Sequence, residues 1–129
     1  MKDKLVIDVR GLPNSKVGLN SRMFYKAKNK IFQKEKETFS DLLIMEGHRQ
    51  DPLWEKVSLE FTFNSADKRH RDVDNLIGCA KPWIDALQGL VIPADDCRYL
   101  PRLTGEYNNE DVDESFTRVV IKKLKQNVD

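Results

Sequence analysis

The chain has 129 residues, 40% hydrophobic and 33% charged, with 22 Lys and Arg set against 21 Asp and Glu for a net charge of +1. That length accommodates one modest core, so residues 1–129 read as a single domain. The absence of any run of roughly 20 apolar residues excludes a membrane span, the start has no apolar signal region, and two cysteines without metal-ligand spacing exclude a secreted disulfide scaffold. The expected setting is therefore the cytoplasm.

Leu5, Ile7 and Val9 alternate with polar neighbours, the period of a strand. Residues 11–20, with Pro13 and two glycines, read as a loop. A long charged helix is expected over about 22–46, capped by Ser21 and ended by Gly47. Its apolar stripe is Phe24, Ala27, Ile31, Phe39, Leu42 and Met45, weak around Glu35. Val57, Leu59, Phe61 and Phe63 alternate with Ser58, Glu60 and Thr62 as a second strand. A further helix is expected over about 74–88, closed by Gly89. Pro82 implies a kink between Gly78 and Pro82, or a helix that starts only near Lys81, because its ring presses on the carbonyl four residues earlier. Strands over about 97–107 and 116–124 complete a β-α-β-α-β-β order. This is an α/β (α+β) fold, a small mixed sheet packed by two helices.

The near-zero net charge conceals unlike regions. Residues 1–36 sum to +7, residues 37–66 to −4 and residues 67–129 to −2. Lys68-Arg69-His70-Arg71 is a basic cluster, whereas Asp111 and Asp113 lie in an acidic turn. Such segregation permits a local face for a polyanion.

Chemistry concentrates after the second strand, where the basic cluster leads into Asp72-Val73-Asp74-Asn75. In extended chain the two aspartates point to one side, about 6–7 Å apart, an arrangement suited to a hard divalent cation. On the following helix, at about 100° per residue, Asp74, Lys81 and Asp85 share one polar stripe opposite Leu76, Ala80, Trp83 and Leu87. Asp85 can orient Lys81 at i+4. Asp95 and Asp96 are adjacent, so in extended chain one can enter a site while the other faces solvent. Trp83, Leu87 and Trp54 read as packing, Cys79 as a buried thiol, and His48 as a polar loop residue. His70 reads as an exposed side chain or a phosphate contact.

The order of these motifs resembles the RusA family of Holliday-junction resolvases. The likeness rests on Arg71-Asp72-Val73-Asp74-Asn75-Leu76, Ile84-Asp85-Ala86-Leu87 and Asp95-Asp96, about 28 residues, with comparable length and element order around them. It implies a homodimeric, Mg²⁺-dependent endonuclease, with Mn²⁺ as a substitute, that nicks four-way DNA junctions symmetrically in recombination and repair. It implies a RusA-like fold, a nucleoid setting and no organic cofactor. Carried over by position, Asp72, Asp74 and Asp96 bind metal, with Asp95 the alternative third ligand. Lys81 is the catalytic lysine, although the family places a lysine where this chain has Gly78. The N-terminal Pro/Asn signature is met only loosely, by Leu12-Pro13 and Asn20. Lys68, Arg69, His70 and Arg71 are the candidate DNA contacts. Competing readings are a non-cleaving DNA-binding module of the same fold and a nuclease for flaps or forks.

Overall fold

A computed structural model of the chain describes residues 3–18 and 24–125. Its elements are β1 (Lys4–Arg10), α1 (Tyr25–Met45), β2 (Val57–Asn64), α2 (Val73–Cys79), α3 (Lys81–Asp85), β3 (Arg102–Asn108) and β4 (Phe116–Lys123). The four strands form one mixed sheet in the order β1-β4-β2-β3. β4 lies antiparallel between β1 and β2, while β2 and β3 run parallel, joined by the crossover that carries α2 and α3.

The alternation read in β1 and β2, with that seen in β4, sets the buried face. Leu5 pairs with Ile121, which pairs with Leu59, and Ile7, Val119 and Phe61 form the next row. All six are essentially sealed from solvent and pack with Phe39, Leu43, Leu76, Trp83 and Ile84 from the helices and Leu87 from the turn after α3. The opposite face is charged, with Arg118 bridging to Asp8 at 2.8 Å and Lys122 to Glu60 at 3.0 Å.

Several expectations are corrected. The long helix begins at Tyr25 with Phe24 at its N-cap, with no side-chain cap among the described residues; the expected cap, Ser21, lies outside them. Its anchor is Phe39 and Leu43, whereas Phe24, Ala27 and Met45 are exposed, because only the second half of α1 reaches the core. Phe39 stacks on Trp83, with ring centroids 5.7 Å apart. The loop after β1 contains a 3-10 turn, Ser15–Val17, capped by Asn14, whose side-chain Oδ1 accepts from the Lys16 amide at 3.0 Å.

The helix expected over 74–88 is two short ones, broken at Ala80, with Pro82 in the first turn of the second. That is the break Pro82 imposes, since it has no N–H to donate to Gly78. Strand β3 starts at Arg102, later than expected, because residues 97–100 turn back on Asp96, whose carbonyl accepts from the Tyr99 and Leu100 amides at 3.1 and 2.8 Å. Gly105 of β3 lets α2 lie close: a Cβ there would meet Val73 Cγ1 at 2.9 Å and Ile77 Cδ1 at 2.7 Å. No helix among the described residues is long and apolar enough to cross a membrane.

Candidate active site

The parallel strands β2 and β3 both end toward residues 65–72, and in open α/β sheets this carboxyl end is where crevices for ligands form. Asn64 and Asn108 mark the end of the pair, joined side chain to side chain at 3.1 Å. The loop beyond them is fastened by Arg71. Its guanidinium donates to both oxygens of Asp67 (2.8 and 3.0 Å), to the Ser65 hydroxyl (3.0 Å) and to the Tyr107 hydroxyl on β3 (2.9 Å). Tyr107 in turn donates to the Arg69 carbonyl at 3.0 Å, and Asp67 accepts from the Arg69 amide at the same distance. The hydrogen bonds from Arg71 and the Arg69 amide hold Asp67 well below the usual carboxylate range, and those to Asp67 and Tyr107 hold Arg71 above its own.

Arg71 is therefore spent on the scaffold, since a planar fork chelating a carboxylate leaves little donor capacity for phosphate. Lys68, though exposed, is also engaged, donating from Nζ to the Asn109 carbonyl. Of the four basic residues, Arg69 and His70 are the exposed ones whose side chains make no hydrogen bond among the described residues.

Asp72 and Asp74 follow immediately, in a different geometry from the extended pair expected. Asp72 is extended and occupies the N-cap of α2, without a side-chain capping bond, while Asp74 is already helical. The helix starts one residue earlier than the alternation argument assumed, so the period of two does not align the carboxylates. Both are exposed, and neither has a cationic partner among the described residues. Asp74 accepts from the Asn75 amide at 2.9 Å.

The second polar group centres on Lys81, at the start of α3. Its Nζ donates to Asp85 at 2.7 Å and to Asp95 at 2.5 Å, and Asp95 also accepts from Gln88 Nε2 at 2.7 Å. Burial opposes the charge on Lys81, but the bonds to Asp85 and Asp95 outweigh it and raise its pKa. Asp95 is held at about 2 by its interaction with Asp85, then by Lys81 and Gln88. Burial, with Asp95 beside it, moves Asp85 upward. The i+4 relation of Lys81 and Asp85 survives the helix break, as expected of residues inside one helix.

Asp95 and Asp96 do face different ways. Asp95 is the one on Lys81, whereas Asp96 is exposed and chelated by Arg98, at 3.0 Å from Nε and 2.8 Å from Nη2. That hydrogen bonding holds the Asp96 carboxyl below its ordinary value. Asp72 and Asp74 thus form one acidic group, and Lys81, Asp85 and Asp95 another. Among the described residues no three His, Cys, Asp or Glu side chains gather as a metal-holding set.

Asp67, Ser65, Tyr107 and Gln88 are structural partners of the site that sequence reasoning missed. The i+4 spacing of Asp67 and Arg71 was a usable signal; the contacts of Tyr107 and of Gln88 depend on the tertiary fold. Cys79 is buried as expected, Asp111 and Asp113 are exposed, and His48 is buried rather than a mere polar loop residue. A groove of about 1000 Å³ lies at the other end of the sheet, lined by Leu5, Trp54, Lys56 and Lys123 among others, away from all these carboxylates. The sequence matches no protein-family model and no curated protein.

Proposed function

We propose that the chain is a Mg²⁺-dependent, structure-specific DNA endonuclease that resolves four-way junctions by paired nicks, with a RusA-like fold, acting as a homodimer on nucleoid DNA in the cytoplasm. The observation that carries the reading is the pair Asp72 and Asp74: two exposed carboxylates without a cationic partner among the described residues, at the carboxyl end of parallel strands, directly after a basic loop. Lys81, held by two further carboxylates on the same crossover, supports it.

The donor chemistry fits Mg²⁺ as a partial site. That ion is commonly held by one or two carboxylates, its remaining positions filled by water and substrate phosphate oxygens. Asp72 and Asp74 would hold it, and Asp96 would join only by leaving Arg98. When bound, the metal supplies water activation and relief of charge at the phosphate. The chain's own residues do the rest. Arg69 and His70 position the backbone without reading bases. The Arg71–Asp67–Tyr107 network fixes the loop that carries them. Lys81 places a permanent cation near the charge that develops during phosphodiester cleavage. A two-fold dimer would offer two such sites to a two-fold junction.

A second reading, a non-cleaving junction-binding module, is favoured by one observation: Asp96 is tied to Arg98 and does not gather with the pair. Incubating a labelled synthetic four-way junction with wild type and Asp74→Asn, with Mg²⁺ or chelator, separates the two. Nicking is expected only for wild type with Mg²⁺, with junction binding kept by the variant. Equal nicking by Asp74→Asn would refute the site; binding by wild type without any nicking would favour the module.

A further inference from the structure

Phe24 and Tyr25 stand at the start of α1 with their rings 5.4 Å apart, inclined at 39°. They are 70% and 69% exposed, unusual for a pair of adjacent aromatic rings. The residues that follow include Lys26, Lys28, Lys30 and Lys34, with no acidic residue before Glu35. The opposite end of the same helix provides a contrast. Ile44 and Met45 are also exposed there, but beside Asp41 and Glu46 and with no lysine nearby in sequence.

The position of the pair follows from helix phase. At about 100° per residue, Tyr25, Lys28 and Phe32 share the side of α1 that carries Phe39 and Leu43 inward further along. Tyr25 therefore lies on the inward-facing side, beyond the point where α1 reaches the core.

We propose that Phe24 and Tyr25 form a stacking platform for unpaired DNA bases, with Lys26, Lys28 and Lys30 holding the adjoining phosphates. The inference deepens the reading of the chain as a branched-DNA protein and rests on it. Aromatic side chains accept any base on their faces, and lysines beside them track the backbone. A protein partner is the poorer fit, since lysine is depleted from the cores of protein interfaces. A branch point is where such a platform finds bases that unstack at low cost.

The test is equilibrium binding in EDTA, so that cleavage plays no part. The probes are a single-stranded oligonucleotide and a four-way junction, each carrying 2-aminopurine, the latter at its branch, with an unlabelled-branch duplex as comparison. Phe24→Ala/Tyr25→Ala is expected to weaken the single strand and the junction about tenfold per lost ring and to abolish the fluorescence change. Its salt dependence and its duplex affinity should stay the same. Phe24→Trp/Tyr25→Trp should retain both affinity and signal, and circular dichroism confirms that each variant is folded. Lys26→Gln/Lys30→Gln should keep the fluorescence change but lower the slope of log K against log salt by about 1.4 on the single strand. An alanine variant that binds with wild-type affinity and signal overturns the platform and leaves the junction reading intact. Loss of duplex affinity in equal measure also overturns it. Wild type that binds no DNA overturns both.

Discussion

Gly105 is the residue on which the placement of Asp72 and Asp74 depends most directly. In Gly105→Ala the new Cβ would stand 2.7 Å from Ile77 Cδ1, 2.9 Å from Val73 Cγ1 and 3.1 Å from Ile77 Cγ1. Ordinary carbon contacts are about 3.5–4.0 Å, so roughly 0.6–1 Å must be yielded. Ile77 Cδ1 swings away by one torsion, but Val73 is stiff at χ1 in a helix, so α2 itself shifts. Overpacking of this kind costs about 1–3 kcal/mol, of which about 0.4–1 is recovered because alanine has fewer unfolded conformations than glycine. The net destabilisation is about 1–2 kcal/mol, a fall in the urea midpoint of about 0.5–1 M with unchanged slope. Nicking should fall much further, about 100-fold, because a displacement near 1 Å at the reacting groups is that costly. Gly78→Ala is the control. A Cβ at Gly78 meets nothing within 4 Å, so that substitution should stabilise α2 by about 0.5 kcal/mol. Gly105→Ala with wild-type stability and nicking, or equal effects of the two substitutions, would refute this account of the α2–β3 contact.

Two further outcomes are expected. Asp95 titrates at about 2 in the folded chain, below its value near 3.9 when unfolded, so its contribution is complete above about pH 4 and lost as the pH falls through 2. Because the Lys81 side chain is half exposed, screening reduces that contribution to about 1 kcal/mol; urea melts of wild type and Asp95→Asn should differ by this amount at pH 6 and converge near pH 2. The raised Lys81 pKa carries the opposite sign, present below the unfolded value and lost as pH rises through the folded one. Finally, Lys81→Ala should lose most nicking, and adding Gly78→Lys should restore part of it, because position 78 has open space for a side chain on the preceding turn. Junction nicking by the single and double variants checks this, and a double variant no better than Lys81→Ala would argue against a lysine role on this helix face.

The parts legible in the sequence were those with local causes. Strands β1 and β2 showed their two-residue period because alternate residues of each face the core. The break before α3 followed from Pro82 alone. β3 was misplaced because it is an edge strand whose residues are exposed or half-buried, so Leu103, Thr104 and Gly105 leave no alternating pattern to read. The site was legible as a list of residues but not as an arrangement. Asp72 and Asp74 were seen, yet their geometry turned on a helix boundary one residue away. Arg71 reads as a phosphate contact when its i+4 relation to Asp67 is overlooked, and its second anchor, Tyr107, lies 36 residues along the chain. Asp96 is held locally by Arg98, two residues on, whereas the Lys81 partner of Asp95 lies 14 residues back and shows only in the fold.

The strand order has a consequence for how the chain assembles. β4, last of the strands in sequence, sits between the first and the second, and the Asp8–Arg118 bridge joins residues 110 apart. During synthesis β1 therefore emerges with no neighbour to pair with, and β2 shows one of its edges to solvent until residues 116–123 arrive. Closing so long a loop is entropically late and topologically slow. The parallel β2–β3 unit with its crossover can form first, so the loop bearing Asp72 is in place before the sheet is whole. Completion of the fold is thus an insertion event, a strand entering a waiting slot, and a nascent chain halted at Ser115 presents two open edges to whatever else is nearby.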